Sequence, residues 1–271
     1  MASAHHDGPI GVFDSGLGGL TVLRALIDLL PNEDVLYFGD TARFPYGPKP
    51  HEEVVKFSIE IADRLVEEGV KMIVVACNSA TAVALETLQA RYPIPIIGVV
   101  EPGVRAALQV TRSQRVGIIG TVATITSGAY QRAVETHAPD LEVACAACPG
   151  FVEFVEAGEV DSEQVYLLAT RLLAPIRDAN VDTLVLGCTH YPLLARTIAR
   201  AVGPEVVLVS SADETAFAVR QMLLDSVEAS ATPDRIPRHR FATSGDATTF
   251  ARLGVQFLGP EVARVEEWPW R

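Results

Sequence analysis

Lysine is scarce in this chain of 271 residues, which carries only Lys49, Lys56 and Lys71. Lys49 falls in a Pro/Gly loop, Lys56 on an amphipathic helical pattern and Lys71 just before an apolar run. None stands where a buried Schiff base would, so pyridoxal phosphate chemistry is disfavoured and no cofactor is expected. Lys/Arg runs are missing too, and the formal charge is -12. Such a surface repels a phosphate backbone, which argues against nucleic-acid binding. Four cysteines, Cys77, Cys145, Cys148 and Cys188, are too few to staple a chain this long, and suit a reducing cytoplasm. No apolar stretch approaches the length of a bilayer span, and MASAHHDGP has no basic start followed by an apolar segment. The expectation is a cytoplasmic protein, away from membranes, with a short disordered lead before Ile10.

What is present is a regular alternation of strand-like apolar runs and helical patterns, the mark of βαβ units and mainly parallel sheets. Strands are expected at Pro9–Ser15, Asp34–Asp40, Lys71–Asn78, Ile94–Val100, Arg115–Thr121, Glu142–Pro149, Asp182–His190, Glu205–Ser211 and His239–Ser244. HEEVVKFSIEIADRLVEEG has apolar residues at helical spacing and should end at Gly69 with a left-handed cap. SVEASATPDRIPRHR reads as a surface loop.

An internal echo organises the chain. IGVFDSGLGGLT from Ile10 resembles VGIIGTVATITS from Val116, and Cys77 and Cys188 follow at similar distances. The fold expected is α/β, with two pseudo-symmetric halves whose parallel sheets are flanked by helices. Residues 1–98 with 211–271 would form the first domain and 99–210 the second, with the active site in the cleft between them.

The two cysteine motifs carry the chemistry. Cys77 ends KMIVVACNSAT and Cys188 ends DTLVLGCTHYP, each between a strand and a helix, where open α/β sheets place reactive groups. A buried cysteine is often only a small apolar residue. Here Asn78, Ser79, Thr81, Thr189 and His190 surround the thiols with hydroxyls, an amide and an imidazole, which packing at a strand end does not require. Such neighbours set the thiolate population. Matched thiols across one cleft suggest two opposed bases, one taking a proton from a carbon and the other delivering one to its far face. That is a racemase design.

Other motifs are weaker. DSGLGGLT follows a strand, but the third glycine of a dinucleotide fingerprint is replaced by Thr21. Its helix amides could still hold a carboxylate, and Asp14 at the strand end could orient an ammonium group or accept a proton from a thiol. CAAC at Cys145 and Cys148 has no second ligand pair, so no metal site is read there, and Pro149 cuts it off from opening a helix. Both cysteines are expected to be structural. His190 could relay a proton from Cys188 or tune its pKa.

Together GVFDSGLGGLTV, YFGDTARFPYG, VVACNSATA and LVLGCTHYPLL, with FATSGD further on, resemble the cofactor-independent glutamate racemases of the aspartate/glutamate racemase superfamily. The resemblance implies conversion of L-glutamate to D-glutamate for peptidoglycan synthesis. By matching, Cys77 would take the proton from D-glutamate and Cys188 from L-glutamate, with Asp14 and His190 as auxiliary acid/base residues. Ser15, Tyr46, Gly47, Asn78, Ser79 and Thr189 match substrate-holding positions, and Thr81 and Glu156 are grouped with them; Glu156 matches a family glutamate near the second thiol.

Ser79 stands where many members have threonine, and CPGFVEFVEAG departs from the commoner CPLFVPLVEEG at Gly150, Glu153 and Phe154. The N-terminal extension linked in some members to activation by a cell-wall precursor is not seen, so that regulation is not expected. A homodimer is expected. The rival readings are a sister racemase acting on aspartate or a hydantoin, and a regulatory partner of DNA gyrase, a role described for some members.

Overall fold

The computed structural model describes residues 8–225 and 236–270. The lead read before Ile10 falls on residues 1–7, and most of the loop read at 226–240 falls on 226–235; both lie outside the described residues. Among the described residues ten strands occur: β1 (Ile10–Asp14), β2 (Val35–Gly39), β3 (Met72–Val75), β4 (Ile96–Gly98), β5 (Arg115–Gly120), β6 (Glu142–Ala147), β7 (Thr183–Gly187), β8 (Val207–Val209), β9 (His239–Thr243) and β10 (Val265–Glu267). Helices connect them, and every strand pairing is parallel.

The strands form two sheets. One runs β10-β9-β2-β1-β3-β4 and the other β6-β5-β7-β8. The core order β2-β1-β3-β4 of the first therefore corresponds to β6-β5-β7-β8 of the second, which is the structural form of the sequence echo. Each sheet is apolar on both faces, as parallel strands covered by helices must be. Val12, Tyr37 and Val74 pack into one core of the first sheet, while Phe13, Phe38 and Val75 pack into the core on its other face. In the second sheet Ile119, Leu184 and Leu186 face one core and Val116, Ile118 and Val185 the other.

The helix His51–Glu67 starts after Pro50, with Glu52 and Glu53 in its first turn and Arg64 in its last, an arrangement that complements the helix dipole. Gly69 follows at φ 77°, a conformation other residues reach at a cost. Two expected strands end early: β3 stops at Val75 and β7 at Gly187. Cys77 instead caps the helix Asn78–Arg91, its sulfur accepting the N–H of Ala80 at 3.5 Å. The chain must leave the sheet there because that helix begins at Asn78. β10 was not expected; it adds a three-residue edge to β9.

Candidate active site

β1 and β3, adjacent in the first sheet, end at Asp14 and just before Cys77, while β5 and β7 of the second end before Thr121 and Cys188. These four strand ends meet. One cavity is lined by Ser15, Phe44, Pro45, Tyr46, Gly47, Cys77, Asn78, Ser79, Thr121, Val152, Cys188, Thr189 and His190. Both thiols are buried, at 4% and 6% exposure. The free volume is about 20 Å³, room for about one water, so a larger molecule enters only when the walls part.

The two thiols have different surroundings. Cys77 lies 3.7 Å from the Ser15 hydroxyl. Burial first, then the nearby Asp14 charge, pushes its thiol up to about 12. Asp14 is itself fully buried, and burial raises its carboxyl. Its Oδ2 accepts the N–H of Gly16 at 3.0 Å, and its Oδ1 has no hydrogen-bond partner among the described residues.

Cys188 lies 4.0 Å from His190 Nδ1, and Nε2 of that ring lies 2.8 Å from Glu156 Oε1. Burial pulls the imidazole down, but the hydrogen bonds to Cys188 and Glu156 and the charges of Cys188 and Asp14 outweigh it and carry it up to about 10. The ring is thus held between the Cys188 sulfur and the Glu156 carboxylate, in surroundings that favour its protonated form.

The remaining groups are positioned by a polar network. Tyr130 donates to Asn78 Oδ1 at 2.7 Å, leaving the amide nitrogen of Asn78 available, and Ser79 and Thr121 share a hydrogen bond at 2.8 Å across the two halves. Tyr46 donates its hydroxyl to Asp40. The cavity lining holds no lysine or arginine, so an anion there would be held by neutral donors, by the helix N-terminus at Asn78 and by the His190 imidazole.

Three residues read as site residues lie off the cavity wall. Thr81 donates to the Val75 carbonyl at 2.8 Å and accepts the Val99 N–H at 3.3 Å; its hydroxyl is spent on tying the helix to β3 and β4. Glu156 stands behind His190, lining a separate hollow with Phe44 and Asp246. Asp14 sits beneath the turn that carries Ser15.

Thr121, Phe44, Pro45, Val152 and Gly18 were missed. Thr121 had a signal, because in the internal echo it occupies the place of Ser15. Gly18 had none that is local: a Cβ there would stand 2.3 Å from Thr189 Oγ1 and 2.5 Å from His190 Nδ1. Cys145 and Cys148 are free thiols facing different cores. Among the described residues no group of three or more His, Cys, Asp or Glu side chains could hold a metal ion, and no helix is long and apolar enough to cross a membrane.

The sequence profile of the Asp/Glu/hydantoin racemases matches residues 10–222. The chain belongs to that family. A glutamate racemase of Acidothermus cellulolyticus is 52% identical over 260 residues, spanning 95% of this chain and 97% of that one. Glutamate racemase isoform RacE1 from Bacillus anthracis superposes with a TM-score of 0.91 at 40% identity, over 98% of both chains. The Francisella tularensis glutamate racemase, solved in complex with D-glutamate, gives a TM-score of 0.90 at 36% identity, over 97% of this chain and 98% of that one. This racemase family member is therefore an isomerising enzyme of the glutamate racemase group.

Proposed function

We propose that the enzyme interconverts L- and D-glutamate without a cofactor, by proton transfer between two thiols on opposite faces of the α-carbon. The observation that carries this reading is the meeting of Cys77 and Cys188, at the ends of corresponding strands, in one narrow cavity. In the L-to-D direction a thiolate at Cys188 takes the α-proton. The Cα–H bond breaks, an S–H bond forms, and the electron pair passes to Cα and its carboxylate. As it does so, the Cys77 S–H gives its proton to the other face and is left a thiolate. A His190 cation next to Cys188, and a Cys77 thiol held up to about 12, suit those two roles. In the D-to-L direction the roles reverse, with Asp14 as the base nearest Cys77.

Donors around the cavity would hold the two carboxylates: Asn78, Ser79, Ser15, Thr189 and backbone at Tyr46 and Gly47. Excluding water strengthens each of these contacts as charge develops at the carbon. Incubation of reduced protein with L-glutamate in D₂O tests the reading. Loss of optical rotation together with α-deuterium in the product is expected; a folded, reduced sample giving neither would overturn it. Aspartate and a hydantoin in the same assay separate the sister activities.

The same reading assigns the product to peptidoglycan synthesis in the cytoplasm and expects a homodimer. A D-glutamate requirement on gene loss checks the first, and sedimentation the second. We also place the domain boundaries at 98/99 and 210/211, because β9 and β10 return to the sheet that holds β1–β4.

A further inference from the structure

The loop from Thr41 to Pro48 roofs the cavity: Phe44, Pro45, Tyr46 and Gly47 all line it. It also bridges the two halves, since the Gly47 carbonyl accepts the N–H of Ala123 at 2.9 Å. Phe44 packs against His190 with ring centroids 5.9 Å apart. With space beneath it for about one water, this loop must lift for an amino acid to enter. Whatever fixes its resting position therefore governs access to both thiols.

Beside the Arg43–Glu60 ion pair and the Ala42 N–H on Ser244 Oγ, four of its fixings converge on one buried carboxylate. Asp40 Oδ2 accepts from the Tyr46 hydroxyl and from Arg43 Nε, the latter at 2.7 Å. Asp40 Oδ1 accepts from Ser244 Oγ and from Trp270 Nε1, each at 2.7 Å. Trp270 holds the loop a second time, because the Arg43 guanidinium lies between rings, 3.6 Å from the Trp270 centroid and 4.0 Å from that of Phe57. The indole is itself held in place. Arg64 donates to the carbonyls of Trp268 and Pro269 at 2.6 and 2.7 Å and lies 4.3 Å over the Trp270 ring, and Trp270 packs edge-on against Phe38. β10 delivers this segment to the sheet edge, with the Trp268 N–H bonded to the Thr243 carbonyl at 2.7 Å.

We propose that Trp270 is a positioning residue for the reaction, latching the 41–48 loop over the two thiols through Asp40 and Arg43. The indole is not part of the cavity lining; it acts through Asp40 on Tyr46 and through Arg43 on the chain entering Phe44. A cation between aromatic faces and an N–H on a shared carboxylate are contacts that break and reform without unfolding anything. They suit a latch that opens once per turnover.

Thiol alkylation, followed residue by residue by mass spectrometry, tests this without reference to substrate. W270A should speed labelling of Cys77 and Cys188 about fivefold or more relative to Cys145, which faces another core and lies outside the cavity. W270F keeps the ring over Arg43 but loses the N–H to Asp40, and should fall between. Equal Cys77 and Cys188 rates, relative to Cys145, in wild type and W270A overturn the latch. Should W270A unfold, all four cysteines speed up together and W270F decides the matter. The kinetic arm rests on the glutamate reading: W270A should raise KM for both enantiomers more than it lowers kcat. Wild-type protein that fails to turn over glutamate sinks that reading and leaves the labelling result standing.

Discussion

At the scale of single residues, the difference between the two thiols is the feature to exploit. Replacing either sulfur by a weaker base, C77S or C188S, should lower turnover about 100- to 10,000-fold, the usual range for a lost acid/base group; optical rotation follows it directly. L- and D-glutamate have the same free energy, so kcat/KM must be equal in the two directions for the enzyme and any variant. Asymmetry between the thiols can appear only in kcat and KM separately. His190, carried up to about 10, should give kcat/KM a descending alkaline limb near that pH, common to both enantiomers. Glu156→Gln removes one of the bonds that raises the ring and should move the limb to lower pH. The same group links pH to folding. Because its folded value lies above the usual 6.5, its contribution to stability is complete below 6.5 and is lost as pH rises through about 10.

At the scale of elements, the strands were legible and their ends were not. Runs such as IGVFD, VLYFG, MIVV and TLVLG are buried along their whole length, and continuous apolar character is what identifies a parallel strand. β10 escaped because VEE at a half-open edge has neither alternation nor an apolar run. Cys77 and Cys188 were legible as residues of one cavity because polar residues crowd a place that packing leaves apolar. Trp270 was not, since its contacts to Asp40 and Arg43 cross some 230 positions. Thr81 shows how the same signal misleads: its hydroxyl sits beside the thiol in sequence yet serves the junction of β3, β4 and the following helix. Thr81→Val should therefore lower stability by about 1–3 kcal/mol, the cost of a buried donor left unpaired, and leave KM unchanged. Thermal melting and initial rates on one preparation check both halves of that expectation.

At the scale of the molecule, two sheets of corresponding order are brought together where their strands end, and at Gly18 a Cβ would stand 2.3 Å from Thr189 Oγ1 and 2.5 Å from His190 Nδ1. Gly18→Ala would force the halves apart just where the second thiol's partner sits. Overpacking of about 1–3 kcal/mol is expected, with activity down about 100-fold from misplacement of the imidazole; circular dichroism and rates taken together distinguish this from global unfolding. The seal over the thiols has a consequence for successive turnovers. Under two-thiol transfer, each passage leaves the pair of sulfurs with their proton exchanged, so the protein that releases D-glutamate differs by one proton's location from the protein that bound L-glutamate. At 4% and 6% exposure in the closed form, the thiols would be restored by exchange with water while the 41–48 loop is lifted or by a molecule of the opposite hand. Under that mechanism the enzyme would carry a record of the last enantiomer it released, and at substrate concentrations high enough to outrun the exchange, erasing that record, not breaking the carbon–hydrogen bond, would set the pace.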